Sequence, residues 1–356
     1  MVAMLVLFVL ARAGYNQNRE NDYMETQGVD GNKVKRLPEA VIVGCRKSGT
    51  RALMKFLQVN KAVKGAQKEV HFFDDDRNYM LGLEWYKEQM PRTEPGELTI
   101  EKSPAYFNTR NVPERIHEMN SSIKIIVIFR NPVTRLISDF SQLVANRIDV
   151  NENTSKLDGD DEDDVLHSDS AESDEYGRQS GSSANSSAEE NSIWLRAEQE
   201  FEDHVLRPDG GINDQWRAIK LGMYSIYLER WLAIFPRSQM HFVDGERLII
   251  EPHVELQKLE TFLGVPRFIR QDHFVFNNKK GFFCLNATAL GGSAHSTSGG
   301  RRREDDRNWQ PHCLSRSKGR RHVRVRRDLL TKLDEFYQPF NEYLYLLTGI
   351  NLTRVG

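Results

Sequence analysis

Cysteine is scarce in this chain: three residues in 356, at Cys45, Cys284 and Cys313. That excludes a disulfide-framework domain and leaves too few thiols for a cysteine-rich zinc scaffold. Long apolar runs are missing too. Residues 2–11 form an apolar run of ten, about half of the roughly 20 that a helix needs to cross a bilayer core. Net charge is small, at -2. Absent also is the Gly-Lys-Ser/Thr ending of a nucleoside-triphosphate loop. The stretch that otherwise has that shape, "VIVGCRKSGTRALMKFL" at 41–57, places Thr50 directly after Gly49, with Lys47 at the front of the loop. No metal-binding aspartate follows the later apolar strand, which runs straight into Arg130. Together these absences argue against ATP.

The small net charge conceals a segregation. Residues 149–191 carry 14 Asp/Glu against Lys156 and Arg178, leaving the other 313 residues at about +10. A basic body with a separable acidic segment suits an anionic ligand. At the N-terminus, the apolar run and the small-x-small sequence Ala11-Arg12-Ala13 give a leader or truncated signal-anchor over 1–13, a possible membrane anchor. Residues 14–37, polar and irregular, read as a stem. Five Asn-x-Ser/Thr triplets, at Asn120, Asn153, Asn185, Asn286 and Asn351, favour a lumenal chain. In that setting a Cys284–Cys313 disulfide is permitted. Cys45, with no histidine beside it, reads as a small buried hydrophobe.

From 38 onward short apolar strands alternate with helices. Strands are expected at 40–44, 98–101, 123–129 and 240–243, and helices at 50–59, 113–119, 132–145, 193–205, 213–235, 254–263 and 329–347. Such alternation implies a parallel sheet covered on both faces. Two low-complexity stretches interrupt it: the acidic one at 149–191, expected to be disordered, and a Gly/Ser/Arg-rich one at 287–310. The expectation is one α/β domain over 38–356 with a central parallel sheet, flanking helices and two insertions.

In the 44–51 loop, Gly44 and Gly49 allow a tight backbone, and the amides of 47–50 open onto a helix N-terminus, where an anion is favoured. Lys47, Thr50 and Arg51 add a charge, a hydroxyl and a bidentate donor. The second stretch, "IIVIFRNPVTRLISDF" at 125–140, ends a strand in Arg130 and carries Ser138 on the next helix. Ligands of parallel sheets lie beyond the carboxyl ends of the strands, so Arg130 and Ser138 are candidates for a second phosphate. The pair of features suggests a nucleotide phosphorylated at both its 5′ and 3′ positions.

The stretches 47–51, "EVHFFD" (69–74), "EKSPAYF" (101–107), "RNPVTRLISDFSQ" (130–142) and "SKGR" (317–320) together resemble the heparan sulfate glucosamine 3-O-sulfotransferases, which are Golgi enzymes. The likeness covers about 38–148 and 193–356. It implies a P-loop-like sulfotransferase domain in the Golgi lumen, with 3′-phosphoadenosine 5′-phosphosulfate as donor and no metal. The expected acceptor is heparan sulfate or heparin, not nucleic acid. Carried over residue by residue, it implies Glu69 as the general base that takes the hydroxyl proton, with His71 and Asp74 orienting it or the acceptor. Lys47 and Lys102 would face the sulfuryl oxygens and the leaving phosphate. The 5′-phosphosulfate falls to Lys47, Ser48, Gly49, Thr50 and Arg51, and the 3′-phosphate to Arg130 and Ser138. Lys318, Gly319, Arg320, Arg321 and His322 complete the donor site. Arg46, Asp74, Gln142, Lys318 and Arg320 would contact acceptor.

Residues 301–327 hold eleven Lys/Arg, a density that fits a sulfated polysaccharide and equally a nucleic-acid backbone. Two residues speak against the related glucosaminyl N-sulfotransferases, which usually carry Gln in place of His71 and Thr in place of Arg51. A non-catalytic heparin-binding module accounts for 301–327 but not for Glu69, Lys102 or the loop. The chain departs from the family pattern at Arg321, where a small residue is usual, in its long Cys284-to-Cys313 segment, and in the acidic insertion. These departures bear on acceptor preference more than on the reaction.

Overall fold

The computed structural model describes residues 33–154, 184–278, 280–286, 289–290, 313 and 321–352. The leader, most of the stem, nearly all of 287–310 and the residues Lys318, Gly319 and Arg320 lie outside the described residues. The element order is β1 (Val34–Lys35), β2 (Ala40–Gly44), α1 (Thr50–Leu57), β3 (Val63–Gly65), α2 (Asp76–Tyr79), α3 (Gly82–Glu88), β4 (Arg92–Thr93), β5 (Leu98–Lys102), α4 (Val112–Met119) and β6 (Lys124–Phe129). There follow α5 (Pro132–Thr154), α6 (Ala184–Val205), α7 (Arg217–Lys220), α8 (Tyr224–Leu232), β7 (Met240–Asp244), α9 (Gly245–Ile250), α10 (Pro252–Leu263), β8 (Phe274–Asn277), β9 (Phe282–Leu285) and α11 (Arg327–Thr348).

Five strands pair in the order β3-β5-β2-β6-β7, every pairing parallel. The reason is visible in composition: β2 (AVIVG) and most of β6 (KIIVIF) are buried on both faces, as strands between two helical layers must be. One face packs Val41, Val43, Ile125 and Val127 against Phe72, Tyr86, Ile116 and Trp231. The other packs Ile42, Ile126 and Ile128 against Leu53 of α1 and Leu256 and Leu259 of α10. From β2 the chain builds one flank (β3, β5) and then the other (β6, β7), so the sheet reverses direction at β2. The crevice beyond such a reversal is where this architecture binds ligands. A third apolar cluster joins α5, α6, α7 and α11 through Phe140, Trp194, Phe201 and Leu333. The β8–β9 hairpin is antiparallel, with Cys284 opposite Val275, and Cys284 is disulfide-bonded to Cys313. Cys45 is a buried free thiol.

Two expectations change. The helix expected at 213–235 is two, α7 and α8, broken at Gly222 and Met223. A Cβ on Gly222 would stand 2.8 Å from Tyr337 Cε1, while the Tyr337 hydroxyl donates to the Ile219 carbonyl at 2.8 Å. The break lets the α11 tyrosine plug the joint. The expectation of disorder across 149–191 fails at both ends, because α5 runs on to Thr154 and α6 starts at Ala184; residues 155–183 lie outside the described residues. Packing carries α5 past its expected end at 145: Ile148 joins the cluster of Trp194 and Phe201, and Arg147 forms a two-pronged pair with Glu200 (2.7 and 2.9 Å). Among the described residues no helix is long and apolar enough to cross a membrane.

Replacing Gly222 by Ala drives a methyl into the Tyr337 ring. The expected cost is about 1–3 kcal/mol, read as a lower urea midpoint with an unchanged slope.

Candidate active site

Loop 45–49 leaves the carboxyl end of β2 and is tied to the neighbouring strand by the Cys45 N–H donating to the Ile128 carbonyl (2.9 Å). Gly49 takes the left-handed conformation, φ 103°, as it hands the chain to α1, a geometry glycine adopts without a Cβ penalty. No side chain caps α1 and its first turn holds no acid. Its leading N–H groups are therefore available to an anion. The Ser48 side chain is buried in this loop, and among the described residues its hydroxyl has no hydrogen-bond partner.

Helix α5 forms the opposite wall. Residues Arg135, Ser138, Asp139 and Gln142 recur at three- and four-residue intervals, so they share one face. The Lys47 ammonium donates to Gln142 Oε1. Arg46 Nε donates to Asp139 Oδ1 at 2.9 Å, and Asp139 Oδ2 accepts from Arg135 Nη1 at 3.1 Å. Arg135 is itself fully buried and reaches the Ala218 carbonyl. Arg130, at the carboxyl end of β6, turns Nη1 to the Lys47 carbonyl at 3.5 Å. Its Nε is 3.7 Å from Glu246, beyond hydrogen-bond reach, and has no bonding partner among the described residues. Two buried polar atoms without a well-formed hydrogen bond among the described residues, Ser48 Oγ and Arg130 Nε, thus flank an uncapped helix start. That donor-rich set fits a phosphosulfate and a second phosphate.

On the other side of β2, strand β5 is paired in parallel with Ile42 opposite Lys102, which brings Lys102 to the same sheet edge. The Lys102 ammonium contacts Glu69 Oε1, Glu69 Oε2 stands 3.5 Å from His71 Nε2, and His71 Nδ1 bonds Asp74 Oδ2 at 2.9 Å. Burial pushes the Glu69 carboxyl up, but the hydrogen bond from His71 and the adjacent Lys102 overcome it and hold it down at about 2. His71 is raised to about 10 by its hydrogen bonds to Asp74 and Glu69, against burial. The result is a line of alternating charges, Lys102⁺–Glu69⁻–His71⁺–Asp74⁻, with the carboxylate ionised throughout the physiological range.

Of the residues singled out in sequence, Arg46, Lys47, Arg130 and Gln142 converge on the loop, with Ser138 on the same helical face as Gln142. Glu69, His71, Asp74 and Lys102 form one chain. Arg51 is exposed, and Thr50 is buried at the helix start. Phe72 and Phe73 are core, stacked around Tyr86. Arg321 is engaged elsewhere than expected: its guanidinium lies 5.3 Å over the Trp194 ring and donates to Asn191 Oδ1 at 2.8 Å. His322 beside it is exposed. Val323 N–H donates to Ser141 Oγ at 3.1 Å, so this segment crosses the helix bearing Gln142. Sequence reading missed Asp139, Arg135 and Glu101. The first two carried a signal, an Arg/Asp pair four apart on a helix otherwise turned to apolar neighbours. Glu101 had one as well, an acid inside a buried strand.

Comparison with known proteins accords with this geometry. Residues 37–340 match the family described as "Sulfotransferase domain". The chain is 38% identical over 320 residues to heparan sulfate glucosamine 3-O-sulfotransferase 5 of Mus musculus, covering 90% of this chain and 74% of that one. It is 39% identical to heparan sulfate glucosamine 3-O-sulfotransferase 6 of Homo sapiens, over 88% of this chain and 73% of that one. Among solved structures, a sulfotransferase from Alicyclobacillus acidocaldarius shares the fold, with a TM-score of 0.51 at 18% identity over 89% of this chain and 98% of that one. With an uncapped phosphate loop, a parallel sheet and a carboxylate held at its edge, the chain belongs to the heparan sulfate glucosamine 3-O-sulfotransferase family of sulfotransferases.

Proposed function

We propose that the protein transfers a sulfuryl group from 3′-phosphoadenosine 5′-phosphosulfate to the 3-hydroxyl of glucosamine in heparan sulfate, with Glu69 as general base. The observation that carries this reading is the Glu69 carboxylate, kept ionised between Lys102 and His71 at the sheet edge next to the phosphate loop. Homologues named for the same transfer support the substrate class. Their place in heparan sulfate synthesis supports a secretory-pathway lumen, the Golgi.

The donor supplies an activated sulfuryl group, whose bond to the 5′-phosphate oxygen breaks as the acceptor oxygen bonds to sulfur. The chain's own residues do the rest. The loop amides, Ser48, Thr50 and Lys47 bind the phosphosulfate, and Arg130 with Ser138 binds the 3′-phosphate. Charge that grows on the departing phosphate oxygen is met by the Lys47 and Lys102 ammonium groups, which are worth most when already oriented. Lys102 has two anionic partners available, Glu69 and the bound donor. When it turns to the donor, Glu69 loses one of the two cations that depress its basicity, His71 being the other, and becomes a better acceptor for the hydroxyl proton. His71, fixed by Asp74, keeps the carboxylate in place. Arg46, held by Asp139, and Gln142 stand on the acceptor side.

Three outcomes test the reading. Glu69→Gln should keep donor binding and the melting temperature but lower kcat by about 10²–10⁴-fold, measured with labelled donor and defined heparan oligosaccharides. Near-normal turnover would remove Glu69 from its role. Arg130→Ala should weaken adenosine 3′,5′-bisphosphate by about 1.5–3 kcal/mol and leave adenosine 5′-phosphate nearly unaffected; calorimetry showing equal losses would place Arg130 elsewhere. The unaltered protein should bind the bisphosphate without Mg²⁺ and prefer it over ATP, a preference that a kinase-like site would reverse.

A further inference from the structure

Glu101 is a fully buried carboxylate on β5, one residue before Lys102. Strand alternation sends the two to opposite faces: Lys102 to Glu69, and Glu101 beneath the loop that carries Glu69 and His71. Three consecutive peptide N–H groups of that loop are held from below by side chains of 101–106. Val70 N–H donates to Glu101 Oε1 (3.4 Å), His71 N–H to Ser103 Oγ (3.1 Å), and Phe72 N–H to the Tyr106 hydroxyl oxygen (2.9 Å). Glu101 ties the set together, for the Ser103 hydroxyl donates to its Oε1 at 2.5 Å and the Tyr86 hydroxyl to its Oε2 at 3.3 Å. The residue so gripped is unusual: His71 has φ 51°, a left-handed conformation that a residue with a Cβ keeps only where its surroundings enforce it.

We propose that Glu101 is a positioning residue for sulfuryl transfer: its ionised carboxylate orients Ser103, Ser103 holds the left-handed backbone of His71, and protonation of Glu101 slackens the Glu69–His71 pair. The inference rests on the reading of Glu69 and His71 given above. Chemically, the ionised carboxylate accepts every hydrogen bond directed at it. Once protonated it must itself donate, to the Ser103 oxygen at 2.5 Å or to the Tyr86 oxygen at 3.3 Å, and whichever hydroxyl accepts has to turn its own hydrogen away. A buried polar group left unmatched in this way costs free energy.

The proton's affinity lies where this matters. Burial pushes the Glu101 carboxyl up to about 7, against the downward pull of Ser103, Val70 N–H, Lys102 and Tyr86. Four titratable neighbours are displaced away from that range. Tyr86 and Tyr106 are carried well above the usual phenol range by burial. Glu69 is held at about 2 and His71 at about 10. Asp74, which faces Tyr106, hydrogen-bonds His71, and Lys102 contacts Glu69. As pH falls through about 7, Glu101 is the group that gains a proton, and the ionised, active arrangement is the one lost.

The test is the pH profile of kcat at saturating donor and acceptor, where the ionisation of free substrates drops out. For the unaltered protein, kcat should fall as pH is lowered through about 7. Tyr86→Phe removes a donor to the ionised form, so the inflection should move to higher pH. Glu101→Gln, which cannot ionise, should lower kcat at least about tenfold and flatten the profile between about pH 5.5 and 8.5. An unaltered protein without an inflection, an inflection unmoved by Tyr86→Phe, or a Glu101→Gln variant with normal kcat each overturns the proposal. Should Glu101→Gln fail to fold, the isosteric Tyr86→Phe carries the test alone. Glu69→Gln separates the two levels: if it stays active, the reading of the base is wrong. If it is inactive while the Tyr86→Phe inflection stays put, only the role of Glu101 falls.

Discussion

The contact between the Lys102 ammonium and the Glu69 carboxylate organises the site. It forms at the carboxyl end of a parallel sheet, where the pairing of β3 with β5 brings the loop after β3, which carries Glu69, within reach of Lys102. Each charge would be costly to half-bury alone, and each is tolerable because the other is there. The pair also sets a limit. A carboxylate held at about 2 by His71 and Lys102 is a weak base, and in the proposed reaction it gains strength as the donor engages Lys102.

Around that pair two supports act from different directions. Asp74 anchors His71 from the side, and the segment 101–106 anchors the same loop from below. On the far wall, Asp139 divides its two oxygens between Arg46 and the buried Arg135, so the front of the phosphate loop is tied to the core of the α5–α7 layer. The loop glycines allow the turn, and the ion pairs decide which way its cations face.

The sheet was legible because its strands are buried on both faces and read as unbroken apolar runs, as in Ala40–Gly44. The phosphate loop was legible because a strand, a Gly-bounded turn and a helix fall in order. What escaped reading depends on contacts between distant segments. Nothing local says that Gly222 must yield to Tyr337, more than a hundred residues away. Nor does the polar stretch after Ala145 announce a helix, since it stays helical through Arg147–Glu200 and its neighbours on α6. Arg321 lay in a run of cations that composition assigns to an anion, yet the ring of Trp194 and the Asn191 amide oxygen receive it. Glu101 stood at the end of a strand that reads as buried, but only the fold shows which groups its carboxylate meets: Ser103, Tyr86 and the Val70 N–H.

The antiparallel pairing of α5 and α6 has a consequence for the far wall of the site. Phe140 against Phe201 and Arg147 against Glu200 fasten the two helices on the body side of the acidic segment. The junctions at Thr154 and Ala184 therefore leave from a base that is already closed. The contacts that fasten the two helices thus lie before one junction and after the other. The helix face bearing Ser138, Asp139 and Gln142 is held in register against the phosphate loop by contacts wholly on the body side of those junctions.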